Sequence, residues 1–430
     1  MSYHTIPKKT TLRMLHTSDW HLGKRLHNHS RYDEFAQFLS WLIDTINAEC
    51  VDVLIVAGDI FDTMTPSNRA QELYYNFLGL VAKSSCRHVV ITAGNHDSPT
   101  FLDAPKSILR SLNVRVVGSI SDNICDDVFC LHNPQGQAEA IIIAAPYLRD
   151  KDVRDSSSFD AVGTKEYDTI QGIAEYYAQL TAHAKALQAD IIATQGTSVP
   201  IIATGHLFVA GSSIADKNDG MRDLLYVGTI GQIHASIFDE SLHYVALGHI
   251  HAPQKVANQD RIRYCGSPIA MSFGEIGKTK QVLLIDFEAC LPIIHSIAVP
   301  VFQPLIRISG DWQTIEKQLH NAIDMGKDTG KSVLAEIIYT ADELEPHLTK
   351  KIRHITEGSQ VIVLNINNKT QYQYSLSQSH KGEQLKHLSE IEVFDKLLQR
   401  HEITSQESHA LKIAHQTILT SLHEDDSQAI

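Results

Sequence analysis

Five short stretches concentrate the residue types that bind metal and move protons: Asp19-Trp20-His21, Gly58-Asp59-Ile60-Phe61-Asp62, Gly94-Asn95-His96-Asp97, Gly205-His206 and Gly248-His249-Ile250-His251. Carboxylate, imidazole and amide oxygen form an intermediate donor set suited to Mn²⁺, Fe²⁺ or Zn²⁺, whereas Ca²⁺ asks for nearly all oxygen and soft ions ask for thiolate. In extended chain, residues two apart point the same way, so Asp19 with His21, and His249 with His251, can each address one cavity. The donors number seven: Asp19, His21, Asp59, Asn95, His206, His249 and His251. Seven exceed what one tetrahedral ion takes and suit two ions sharing a bridging carboxylate. Two such cations clamp a phosphate and acidify water, so the chemistry expected is phosphoester hydrolysis without a protein nucleophile. A lone Asp-x-His or His-x-His is more often an ordinary surface or core group. The weight rests on five such elements in one chain. By contrast His27 and His29 sit in a polar loop and read as solvated, His16 reads as a strand residue, and His132, His295 and His387 carry no signal.

Each motif follows a short apolar run. Candidate strands are 13–17, 53–57, 88–92, 140–144, 201–204, 244–247, 261–265 and 282–287. Ligands of open α/β sheets collect outside the carboxyl ends of strands, which is where these side chains fall. Glycines 58, 94, 205 and 248 allow tight strand-to-loop exits. Helices are expected at 31–48, where Phe35, Phe38, Leu39, Leu42, Ile43 and Ile46 recur at three- and four-residue spacing, and at 68–83. The early alternation predicts a parallel α/β core, and the later, closely spaced strands predict a more antiparallel second half. Stretches 149–168 and 211–220 read as loops. From Pro300 a βαβαβ pattern follows: strand 305–309, helix 311–325, strand 332–338, helix 342–356 and strand 360–365. A polar stretch, 367–382, leads to two amphipathic helices at 390–401 and 405–422.

The composition bounds the rest. At 430 residues and 43% hydrophobic, the chain suffices for a core of roughly 250–300 residues plus one or two smaller units. No apolar run approaches the roughly 20 residues of a membrane helix, and 1–11 holds no signal region, so a cytoplasmic protein is expected. The six cysteines form no C-x-x-C pair, which fits reduced thiols. A net charge of −13 excludes wrapping nucleic acid by bulk electrostatics. Any DNA binding must be local or shared with a partner.

The longer strings HTSDWHLG from His16, VAGDIFD from Val56, TAGNHDS from Thr92, ATGHL from Ala203, ALGHIH from Ala246 and YCGSP from Tyr264 resemble, in this order, the calcineurin-like metallophosphoesterases. Within that family they are most similar to bacterial DNA nuclease subunits, over nearly the whole chain. The resemblance implies an α/β fold: a four-layer α/β/β/α metallophosphoesterase sandwich over 12–299, a small α/β capping domain over 300–382 and a C-terminal helical partner-binding segment over 383–430. It assigns one divalent ion, manganese by family habit, to Asp19, His21, Asp59 and His251. The second goes to Asp59, Asn95, His206 and His249. His96 matches the family's catalytic histidine, and Asp97 stands where it can orient that imidazole.

Beyond chemistry, the resemblance implies a homodimer acting on DNA with an SbcC-like coiled-coil ATPase, with exonuclease action on duplex ends and endonuclease action on single strands and hairpins. The stripe Ile391, Phe394, Leu397 and Leu398 offers that partner a docking face. The chain has no G-x-x-x-x-G-K-[ST] loop, so ATP dependence would come from the partner. One departure is Asp62, standing where archaeal and eukaryotic members carry a second phosphate-facing histidine. The leader 1–11 reads as a disordered tail, with Met14 an alternative start. Two other readings are a phosphatase acting on phosphoproteins or nucleotides, and a structural subunit with a decayed metal site. Phosphoprotein phosphatases carry Arg-Gly where this chain has Thr63-Met64, and every expected ligand is present, which disfavours both.

Overall fold

The computed structural model describes residues 12–153, 162–210, 212, 233–341, 345–369 and 411–412. Strand β1 (Arg13–Thr17) leads through a small hairpin, β2 (Arg25–Leu26) and β3 (His29–Ser30), into α1 (Tyr32–Ala48), β4 (Val53–Ala57), α2 (Asn68–Val81) and β5 (His88–Thr92). Short helices α3 (Pro99–Asp103) and α4 (Lys106–Arg110) precede β6 (Val114–Val117), β7 (Val128–His132) and β8 (Ala138–Ile143). After α5 (Asp150–Val153) and α6 (Val162–Gln195) come β9 (Ile201–His206), β10 (Tyr244–Gly248), β11 (Gln254–Val256), β12 (Gln259–Tyr264), β13 (Gln281–Glu288) and β14 (Leu291–Ala298). The last run is β15 (Leu305–Gly310), α7 (Trp312–Thr329), β16 (Val333–Tyr339), α8 (Leu348–Thr356) and β17 (Val361–Asn368).

Two six-stranded sheets, β14-β13-β1-β4-β5-β6 and β11-β12-β10-β9-β8-β7, carry the chemistry. Period-two alternation sorts their side chains. Met14, Val53 and Ile55 of the first sheet meet Ala140, Ile142, Ile202 and Ala246 of the second in a core between the sheets. The opposite face of the first sheet, Leu15, Leu54 and Val56, receives Phe35, Phe38, Leu39, Leu42 and Ile46 of α1 and Phe77 and Leu78 of α2. Each fully buried side chain of this kind contributes roughly 1.5–3 kcal/mol. The outer face of the second sheet, Ile141, Ile143 and Ala203, packs on Ile173, Tyr177, Leu180 and Ala184 of α6. The order is therefore α/β/β/α. His16 lies in β1 as expected, buried, with Nδ1 2.9 Å from the Tyr244 hydroxyl of the opposite sheet.

Two expectations need correction. Residues 149–168 are not one loop, because α5 spans Asp150–Val153 and α6 begins at Val162. Nor is the second sheet mainly antiparallel: β8, β9, β10 and β12 run parallel, and only the edge strands β7 and β11 oppose their neighbours. The reason is shared. Parallel neighbours need a crossover of a dozen or more residues, and α6 supplies it between β8 and β9. In the first sheet β1, β4, β5 and β6 are parallel, with β13 and β14 antiparallel at one edge.

By compactness the chain falls into two units, Met1–Ile308, Glu316–Ile337 and Thr349–Ile366 in the first, and Ser309–Ile315, Ile338–Leu348 and Asn367–Ile430 in the second. The sheet β15-β16-β17 realises the expected βαβαβ order. In the first unit Leu334, Leu305 and Leu364 gather around Leu26 and Phe273. In the second, the Asp311 carboxylate accepts from Thr314 N at 2.9 Å, and Thr340 N donates to Gly310 O. Helix α8 starts at Leu348 rather than 342; 342–344 lie outside the described residues. So do 1–11, the expected loop 211–220 apart from Ser212, and both expected C-terminal helices apart from Leu411 and Lys412, with Ile391, Phe394, Leu397 and Leu398 among the residues left out. Among the described residues no helix is long and apolar enough to cross a membrane. All six cysteines are free.

Candidate metal centre

Five parallel strands deliver the candidate ligands from their carboxyl ends. Asp19 and His21 follow β1, Asp59 follows β4, Asn95 and His96 follow β5, His206 ends β9, and His249 and His251 follow β10. The loops are stitched to each other: Asp19 N donates to Gly58 O at 3.0 Å, His21 N to Asp59 O at 2.9 Å, and His249 N to the Asp19 carboxylate at 2.8 Å. Asp19, His21, Asp59 and His249 all hold positive φ, at 54°, 47°, 51° and 96°. Left-handed backbone at a residue other than glycine costs on the order of 1–3 kcal/mol and persists only where surrounding structure enforces it. Four such residues among seven candidate ligands mark the place where stability was yielded to geometry.

The structure brings all seven together. His21 Nε2 stands 3.1 Å from His251 Nε2, and both belong to one group with Asp19. Asn95 Oδ1 stands 3.1 Å from His206 Nε2 and 3.1 Å from His249 Nδ1. Between the two groups lies Asp59, whose Oδ2 is 3.4 Å from His21 Nε2 and 3.3 Å from His206 Nε2. Ligand atoms held about 2.1 Å from a common cation lie roughly 3.0–3.4 Å from one another in octahedral or tetrahedral arrangement, so the measured separations already fit.

Electrostatics agree. Asp19 and Asp59 are 0% and 2% exposed, yet among the described residues neither pairs with Lys or Arg. Buried charge persists when it is paired or coordinates metal. Against the opposing effect of burial, His206 and His21 hold Asp59 well below the usual carboxylate range. Asp59 in turn overcomes burial to lift His206 to about 9. Burial and the neighbouring His206 push His249 down to about 3. A divalent cation would replace this borrowed proton and leave every imidazole neutral.

The expected partnership of Asp97 with His96 is not formed. The Asp97 carboxylate accepts from the backbone N–H groups of Ile60, Phe61 and Gly94 at 3.1, 2.9 and 2.8 Å. It ties the Asp59 loop to the Asn95 loop, because a fully buried carboxylate takes the donors that satisfy it. His96 is oriented otherwise: Nδ1 lies 2.8 Å from the Asp62 carbonyl, and its backbone N–H donates to Asp59 Oδ1 at 2.9 Å. With Nδ1–H donating to that carbonyl, Nε2 is left free, and the partly exposed ring sits edge-on to His21 with centroids 4.8 Å apart.

Close approach explains two of the glycines. A Cβ on Gly94 would fall 2.1 Å from Asp59 Oδ1, and one on Gly248 would fall 1.8 Å from Ala57 O. Gly94→Ala is expected to displace Asp59, lower thermal stability by about 1–3 kcal/mol and weaken metal uptake. A melt and a metal titration check this, and unchanged affinity would show that Asp59 is not constrained from that side. Sequence reasoning missed Glu275 and Lys280. Glu275 Oε1 lies 3.7 Å from His251 Nδ1, and its other oxygen pairs with Lys280. No motif flagged either residue, since the last string noticed ends at Pro268.

The family described as calcineurin-like phosphoesterase matches residues 12–253, and the type 5 capsule protein repressor C-terminal domain matches 301–402. The chain is similar to the SbcD component of nuclease SbcCD from Escherichia coli, 36% identical over 96% of this chain and 98% of that protein. The counterpart in Rhodobacter capsulatus is 34% identical over 69% of this chain and 71% of that one, and the one in Bacillus subtilis 27% over 81% and 84%. The chain belongs to the calcineurin-like phosphoesterase family, in its SbcD branch. It is a phosphodiester-hydrolysing nuclease that binds divalent metal.

Proposed function

We propose that this nuclease cuts DNA with two manganese ions, one held by Asp19, His21, Asp59 and His251 and the other by Asp59, Asn95, His206 and His249. The observation that supports this most is the single Asp59 oxygen facing His21 Nε2 at 3.4 Å and His206 Nε2 at 3.3 Å, the position of a bridging ligand. Divalent cations bound there neutralise the phosphate and lower the pKa of the attacking water.

The chain's own residues do the remainder. The Asp62 carbonyl fixes the His96 tautomer, so Nε2 is the ring atom available to hold a proton and pass it to the leaving oxygen. Asp97 keeps the two loops that carry Asp59 and His96 at constant separation, as a positioning residue. The strained Asp19, His21 and Asp59 backbones preorganise the donors before substrate arrives.

With a net charge of −13, attraction for DNA comes from the bound cations and from a partner. The named complex of the relatives motivates an SbcC-like ATPase as that partner, engaged by 383–430 through Ile391, Phe394, Leu397 and Leu398. The protein so described is a cytoplasmic homodimer with a catalytic domain over 12–299 and a capping domain over 300–382, acting as an exonuclease on duplex DNA and an endonuclease on single strands and hairpins. The test is manganese-dependent nucleotide release from linear DNA set against hydrolysis of a phosphopeptide, then digestion of hairpin DNA by the co-purified complex with and without ATP. Preference for the phosphopeptide would overturn it. Manganese at 100 times the dissociation constant of a site is also expected to stabilise the fold by about 2.7 kcal/mol for each site so filled. A melt in manganese against chelator reads this, and coincident curves would reject metal binding by the folded state.

A further inference from the structure

Two of the candidate imidazoles are backed in the same way. His21 and His251 meet at their Nε2 atoms, 3.1 Å apart. Behind His21, Nδ1 is buried without a hydrogen bond, and Asp62 Oδ1 lies 3.4 Å from it. Asp62 is in turn 3.3 Å from Lys24 Nζ. Behind His251, Nδ1 faces Glu275 Oε1 at 3.7 Å. Glu275 pairs with Lys280, accepts from Met271 N at 3.1 Å, and is anchored further because Lys280 Nζ donates to Ser267 Oγ at 2.7 Å and to His251 O at 3.2 Å. The two series, lysine to carboxylate to imidazole, come from distant parts of the sequence and converge head to head. On the other side of the centre, His206 Nδ1 rests on a backbone carbonyl, that of Ala57, at 3.0 Å.

We propose that Asp62 and Glu275 are positioning residues that hold His21 and His251 with Nδ1–H toward a carboxylate and both Nε2 lone pairs on one cation, making the Asp19, His21, His251 side the tighter of the two. The inference rests on the two-metal reading above. The physical reason is that a carboxylate accepting from the far nitrogen fixes the ring's tautomer and raises its basicity as a ligand more than a neutral carbonyl does. The carboxylates stand a few tenths of an ångström beyond hydrogen-bond length, a gap expected to close when Nε2 gives its lone pair to a cation and the Nδ1–H becomes a stronger donor. Asp62 thereby has a task suited to a carboxylate.

The experiment is titration of full-length protein with Mn²⁺, following the free ion by electron paramagnetic resonance. Asp62→Asn, at the partly exposed rim, is compared with the double variant Glu275→Gln/Lys280→Met, which removes both buried charges together. Wild type is expected to take up two ions in a tight and a weaker step. Each variant should lose about 10–100-fold in the tight step alone, with the chelated protein melting as wild type does. Unchanged affinities, or equal weakening of both steps, overturn the proposal. Uptake of fewer than two ions by wild type would instead reject the two-metal reading itself.

Discussion

Asp59→Asn is expected to strip both cations at manganese concentrations that saturate the wild type and to lower DNA hydrolysis by on the order of 10³-fold or more. The expectation follows from position. One Asp59 oxygen faces His21 and His206, and the other accepts the His96 N–H, so the carboxylate touches both candidate ion sites and the loop of the proposed proton donor. The amide keeps the shape but loses the charge, and with it the attraction that holds Asp59 far below its ordinary range beside His206 and His21. Equilibrium dialysis with metal analysis reads the stoichiometry, and a linear-duplex assay reads the rate. Retention of a single ion would place the bridge elsewhere.

His96→Ala should separate chemistry from metal binding. It is expected to keep two ions and the wild-type melting temperature while kcat falls by about 10²–10⁴-fold, the range for losing a positioned general acid. The ring donates nothing to the packed cores, and its Nδ1 contact is with a carbonyl at the partly exposed edge of the centre, so the fold tolerates its removal. The backbone N–H that Asp59 accepts remains in the variant. As the proposed donor of a proton to the leaving oxygen and not a binding group, His96 should leave KM little changed when removed. An unchanged kcat would remove His96 from the mechanism.

Much of the layered fold was legible because its strands and helices carry clean periodicity: Val53–Ala57 and His88–Thr92 fall where the apolar runs predict them, and the buried face of α1 is the one its spacing marks. The apolar spacing of Ile173, Tyr176, Tyr177, Leu180 and Ala184 in α6 was open to reading, yet no helix was expected there, because its first turns are polar and follow a Ser-rich stretch that reads as loop. The direction of β9, β10 and β12 was not. Period-two alternation is the same for a parallel and an antiparallel strand, and what decides between them is the crossover, a long-range feature.

The sequence by itself determined the donor types and their spacing at the ends of apolar runs, because ligand chemistry and strand periodicity are local properties. The tertiary structure alone decided which carboxylate serves which nitrogen. Asp97 follows His96 in sequence yet bonds three backbone N–H groups away from it, while Glu275 meets His251 from 24 positions on. Adjacent residues in a turn point apart, and a buried charge settles wherever the folded chain presents donors, which no window of neighbouring residues contains.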